Sequence, residues 1–193
     1  MCFEERNMRI AGIIAVAGLA TVANAQLIDF EGLGEGTPVD TQYSGLGVDF
    51  ATNRGTASIS SYTSFFGSDV LANATMGGAA ADRALTLIME FSTPITELEF
   101  DFNSAGDPGS AFPIRFYNSG GLSSSDSLAS AGSSWVTDIN FSGLASVTRV
   151  EIDSGGGEGW LFGIDNMDFV QVPAPASLAL VGLGGLVAAR RRR

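Results

Sequence analysis

The 193-residue chain contains no histidine and no lysine, and its single cysteine is Cys2. Each absence removes a class of chemistry. Without histidine there is no Ser-His-Asp or Cys-His catalysis and no imidazole metal site, and one cysteine can form neither an intrachain disulfide nor a thiolate zinc cluster. All ten basic residues are arginines, set against 21 acids for a net charge of −11. Nucleic acid is excluded as a partner, because phosphates are bound by cations that release their counterions.

Both ends of the chain are apolar. From Met8 the sequence runs Met-Arg, an apolar stretch from Ile10 to Ala20, and the small-x-small triplet Ala23-Asn24-Ala25, the order of a secretory signal peptide. The reading is a signal over residues 1–25, with Met8 as an alternative start, since Glu4 and Glu5 suit a positive n-region badly. Cys2 then does not reach the exported protein. At the other end, Val172-Pro173-Ala174-Pro175 precedes a glycine-rich apolar run and then Arg190, Arg191, Arg192 and Arg193. As a helix, residues 176–189 span about 21 Å, short of the roughly 30 Å hydrocarbon core. Such a segment crosses only with local thinning or arginine snorkelling, and the positive-inside rule leaves the arginines cytoplasmic.

This three-part tail, residues 172–193, resembles the PEP-CTERM sorting signal: a proline motif, a marginal transmembrane helix and an arginine cluster. The usual motif is Pro-Glu-Pro, and here it is Pro-Ala-Pro. The resemblance implies export across the inner membrane of a Gram-negative bacterium, an exosortase-type transpeptidase as partner, and delivery to the cell surface or to an exopolysaccharide (biofilm) matrix.

Between the ends, residues 26–171 read as one domain. It holds four arginines, 54, 83, 115 and 149, against 19 acids, so its charge is −15. Period-two alternation dominates, as in Leu98, Phe100 and Phe102 interleaved with Glu97, Glu99 and Asp101. Half-buried antiparallel strands carry that pattern. Leu85, Leu87, Met89 and Phe91 alternate likewise, and Pro94 suggests a hairpin connection between the two runs. Further strands are expected at 27–31, 47–51, 57–60, 111–118, 135–141, 147–153 and 160–170, with loops at 104–110, 119–134 and 154–159. The expected fold is all-β, a two-sheet antiparallel sandwich of jelly-roll type. In the last strand the apolar phase slips between Phe162/Ile164 and Met167/Phe169. Such a step marks a β-bulge at Asp165-Asn166.

Ile28-Asp29-Phe30-Glu31-Gly32 and Phe162-Gly163-Ile164-Asp165-Asn166-Met167-Asp168-Phe169 resemble the first and last strands of jelly-roll carbohydrate-binding modules and MAM-type adhesion domains. The resemblance implies adjacent terminal strands and, in several such families, a structural calcium ion. Calcium takes six to eight oxygens, and an acidic domain without histidine or cysteine can supply only that kind of ligand. Glu31 and Asp165 are the expected ligands, then Asp29, Asn166 or Asp168, with surface acids on alternating strands as the plainer reading. Carbohydrate would need aromatic faces on a rigid surface, for which Tyr62, Phe65, Tyr117 and Trp160 are candidates; Trp135, Phe100 and Phe102 are assigned to the core. Catalysis would have to rest on a carboxylate pair of glycosidase spacing, and nothing singles one out among 19 acids. The functional expectation is a non-enzymatic, exported structural or adhesive protein. The alternatives are a calcium-stabilised carbohydrate-binding module and, third, a polysaccharide hydrolase.

Overall fold

The computed structural model describes residues 27–53, 55, 57–60, 66–73, 86–154 and 160–172. The signal segment, and the tail from Pro173 onward with its expected transmembrane helix, lie outside the described residues. Among the described residues no helix is long and apolar enough to cross a membrane.

Nine strands and one 3-10 turn, Ser44–Leu46, make up the described chain. The strands are β1 Pro38–Val39, β2 Val48–Thr52, β3 Ala57–Ser60, β4 Val70–Ala72, β5 Leu87–Ser104, β6 Ala111–Asn118, β7 Gly121–Ala129, β8 Val136–Ile152 and β9 Phe162–Gln171. Every pairing is antiparallel. The pairing is continuous through all nine strands, but β5 and β8 are 18 and 17 residues long and change partners along their length. Residues 87–91 of β5 pair with β2, and 87–90 with 149–152 of β8; residues 95–104 pair with β9, and 97–102 with 136–142 of β8. One half-sheet is therefore β1-β3-β4-β9-β5-β8 and the other β2-β5-β8-β6-β7, joined through the two bent strands. Strands that pass from one sheet to the other at bends form the corners of a β-sandwich.

Ring contacts show the two halves facing each other. Phe112 on β6 and Phe162 on β9 belong to strands that never pair, yet their ring centroids are 5.7 Å apart. Phe102 on β5 closes the trio at 5.2 and 5.6 Å. One continuous core holds Leu87, Met89 and Ile114 from one half with Leu98, Phe100 and Ile164 from the other.

The expected hairpin at Pro94 is not formed: β5 runs straight through it. Ser92-Thr93-Pro94 contains no residue suited to the positive φ that tight hairpin turns require. The inward positions pass from Leu87, Met89 and Phe91 to Leu98, Phe100 and Phe102 by register shifts between Glu90 and Glu97. A change of phase without a reversal is a bulged bend. The two runs expected at 135–141 and 147–153 likewise fuse into β8, with positive φ at Gly143 and Ser146 where the strand turns the corner. Segment 119–134, expected as a loop, contains β7. Only Leu128 in that strand is buried, so no alternation betrays it. Segment 27–31 makes a single bridge, Ile28 with Met167, rather than a strand.

A satellite cluster of Phe66, Val70, Ala72 and Leu161 lies on the far side of the β4-β9-β5 half-sheet. Gly163, flanked by the inward Phe162 and Ile164, points outward, where a Cβ would press into Val70. Trp135 belongs to this cluster and not to the main core, its indole N–H donating to the Phe66 carbonyl at 3.0 Å. An indole needs a partner for its N–H when buried, and the loop over the sheet supplies one.

Candidate functional site

The outer face of the β2-β5-β8-β6-β7 half-sheet carries side chains in cross-strand rows. Register places Asp49, Glu90, Arg149, Tyr117 and Leu122 in one row, and Ala51, Ile88, Glu151, Arg115 and Ser125 in the next. At about 4.8 Å per strand, the five strands give a platform about 19 Å wide.

The chain presents Tyr117 outward because Phe112, Ile114 and Phe116 alternate inward along β6. Its hydroxyl donates to Glu151 Oε2 at 2.9 Å. Burial, then the Glu151 hydrogen bond, push its phenol upward from the usual range. The Arg149 guanidinium lies 5.9 Å from the Tyr117 ring centroid, inside cation–π range. Arg149 Nη2 also donates to Glu151 Oε1 at 2.5 Å, and Nη1 lies 3.7 Å from Glu90. Arg115 Nη1 meets Asp153 Oδ2 at 2.5 Å, and Asp153 accepts from the Thr86 hydroxyl at 2.6 Å. That hydrogen bond to Asp153 raises the Arg115 pKa further, keeping it fully charged. The Tyr117 hydroxyl, the Arg149 Nη atoms and Arg115 Nη1 are each held by a carboxylate, which fixes the ring between Glu151 and Arg149, whereas Arg149 Nε is buried without a hydrogen-bond partner among the described residues.

Leu122 follows Tyr117 in the row and is 59% exposed, one of only two large apolar side chains so exposed among the described residues. A register shift between Phe116 and Tyr117 inserts one extra residue into β7, which turns Leu122 to the Tyr117 side. An aromatic ring, an exposed aliphatic and fixed donors and acceptors thus share one face of the sheet.

The opposite outer face holds the acids expected from the sequence. The bridge between Ile28 and Met167 sets the 27–31 segment beside β9. Asp165 is 8% exposed, accepting from the Asn166 amide N–H at 2.8 Å and the Ser68 hydroxyl at 3.4 Å. Desolvation pushes its carboxyl above the usual range, reinforced by the charges of Glu31 and Asp101. Asp101, its cross-strand partner, accepts from Asn166 Nδ2 and the Asp138 N–H. Asn166 has φ 47°, and Asp165 to Asp168 span three residues against two on β5, which is the bulge expected at this step. Asp29 and Glu31 are exposed and Asp168 is half-buried. Among the described residues no three His, Cys, Asp or Glu side chains form a group that could hold a metal. Asp165 and Asp101 each accept two protein donors, which leaves each carboxylate with acceptor sites free.

Of the aromatic candidates, Tyr62 and Phe65 lie outside the described residues. Trp160 packs, half-buried, against the main core, and of the two described candidates Tyr117 stands, half-buried, on the outer face of the sheet. Of the sorting residues, Val172 is described, its N–H donating to the Pro94 carbonyl at 2.7 Å; Pro173, Ala174, Pro175 and the four arginines lie outside. Sequence reasoning missed Arg115, Arg149, Glu151 and Leu122. The signal was present in the alternations Arg115-x-Tyr117 and Arg149-x-Glu151-x-Asp153, in a domain with just four cations.

A family model described as the PEP-CTERM protein-sorting motif matches residues 171–193. No curated protein matches the chain. Among solved structures, the K2 cleaved adhesin domain of Lys-gingipain is similar at 15% identity and TM-score 0.44, over 77% of this chain and all of that one. A family 29 carbohydrate-binding module is similar at 16% identity and TM-score 0.46, over 76% of this chain and 87% of that one. A variant of the CBM29-2 module is similar at the same identity and score, over 76% and 91%.

Proposed function

We propose that this protein is an exported binding module, delivered to the cell surface or extracellular matrix by its C-terminal sorting motif, and that the Tyr117 face of the sandwich binds polysaccharide without cleaving it. The sorting motif over residues 171–193 supports the route, with an exosortase-type enzyme as the processing partner. One observation carries the binding reading: Tyr117, braced by Glu151 and Arg149 and extended by the exposed Leu122, lies on the outer face of the sheet. Pyranose rings offer apolar C–H faces and hydroxyl edges, which an aromatic ring with fixed polar neighbours matches. Two arginines stand against Asp49, Glu90, Glu151 and Asp153 on this surface. The balance favours uncharged polysaccharides over polyanions such as uronate polymers.

Purified residues 26–172 are expected to be retarded by an uncharged polysaccharide in affinity electrophoresis, and Y117A to run free. Hydrolysis of the polysaccharide by the purified protein would overturn the non-catalytic part of the reading. Retardation of wild type and Y117A alike would overturn the site.

A further inference from the structure

The sorting motif and the folded domain share residues. The matched motif begins at 171, whereas β9 ends at Gln171, and the chain remains hydrogen bonded to the sandwich through Val172. Gln171 pairs with Ile95 at the β5 corner, and the Val172 N–H donates to the Pro94 carbonyl at 2.7 Å. The Gln171 side chain adds a third attachment, its Nε2 donating to the Leu46 carbonyl at 3.3 Å.

That amide occupies a niche formed by the absence of a side chain. Gly47 has φ +92°, and a Cβ there would collide with Gln171 Nε2 and press on Ser92 Oγ. The niche is itself anchored to β5, since the Ser92 N–H donates to the Gly47 carbonyl at 3.0 Å. One residue beyond Val172 the proline motif begins, and the apolar segment follows directly on Pro175.

Enzymes that process peptides commonly hold several substrate residues extended, using main-chain hydrogen bonds. At 171 and 172 those backbone groups are already engaged by the sandwich, immediately before the proline motif. The geometry points to a latch: docking of Gln171 and Val172 against Leu46, Gly47 and Pro94 competes with engagement of the tail by its membrane-bound processing enzyme, so the end of β9 must peel away before the tail is processed. This inference rests on the sorting reading proposed above. Strand ends open locally at a far lower free-energy cost than the whole domain, so the latch sets a rate without preventing processing.

The test follows conversion of precursor to processed full chain by pulse–chase in cells that carry out the processing. Q171A removes one hydrogen bond and is expected to raise the initial rate about fivefold, the shift in an opening equilibrium for one neutral hydrogen bond. G47A ejects the same amide from 124 residues away and is expected to accelerate processing similarly without altering the motif. F112A, which weakens the core at the opposite end of β9, is expected to leave the rate unchanged. Wild-type rates in both Q171A and G47A, or equal acceleration in F112A, would overturn the latch. Deletion of Arg190–Arg193 tests the underlying reading separately: unchanged processing there would remove the sorting assignment itself.

Discussion

Asp165 shows how one buried carboxylate gives the domain a pH signature. Its folded pKa is raised by burial first, with Glu31 and Asp101 adding to the shift. Between the unfolded value and the raised folded value, the native state therefore binds more protons than the unfolded chain, and the slope of stability against pH is negative. Asp165 thus lowers stability as pH rises from about 4 through its folded pKa. Thermal melts of wild type and D165N across that window should converge at the acid end and separate as pH rises, with wild type falling relative to the variant. Parallel curves would contradict the assignment. Because Asp165 and Asp101 already accept protein hydrogen bonds, calcium or chelator is expected to leave the melting midpoint of residues 26–172 unchanged. A rise with calcium would instead support the ligand set expected from the sequence, since an ion bound only by the folded state must stabilise it. In the core, Phe112 bridges the half-sheets through Phe102 and Phe162. F112A should cost about 3–5 kcal/mol by denaturant titration, the usual range for a buried Phe truncated to Ala.

At the scale of the element, the strands that were legible were those with one wet and one dry face. β6 falls on the expected 111–118, and the core run of β5 lies where Leu98, Phe100 and Phe102 placed it. The bulge in β9 was legible too, because a phase slip is written in the order of apolar residues. What could not be read was the difference between a turn and a bend. Both interrupt alternation, and at Pro94 and again at Gly143–Ser146 the interruption is a corner that one strand rounds. β7 was hidden for another reason: its serines face water on both sides, and pairing with β6 rather than burial makes it a strand. The Tyr117 face was half legible. Tyr117 is among the aromatic candidates the sequence offers, but its partners come from β8, and only the β6–β8 register brings Arg149 and Glu151 beside it. The bulge also yields a prediction. N166A loses the Asp101 hydrogen bond and forces alanine into left-handed φ, which should cost about 2 kcal/mol. N166G keeps the backbone conformation and should cost about half as much, and equal losses in the two variants would show that the φ 47° geometry is unimportant.

The whole molecule separates its tasks. One outer face of the sandwich carries Phe66, Leu161 and Trp135 packed against Val70 and Ala72, together with the Asp101–Asp165 seam; the other carries Tyr117, Leu122 and both described arginines of the domain, each paired with acids. A charge of −15 over residues 26–171 would repel polyanions wherever they approached, and the paired arginines do not reverse that locally. The chain leaves the sandwich at the β5 corner, so the sorting motif and the proposed binding face occupy different parts of the fold. The proposed binding role rests on the Tyr117 platform. Its most direct test is the dissociation constant of residues 26–172 for an uncharged polysaccharide, compared with that of Y117A at matched melting temperature. A loss of about thirtyfold is expected, the scale of one aromatic hot spot of about 2 kcal/mol. Equal affinity in the two proteins would contradict it.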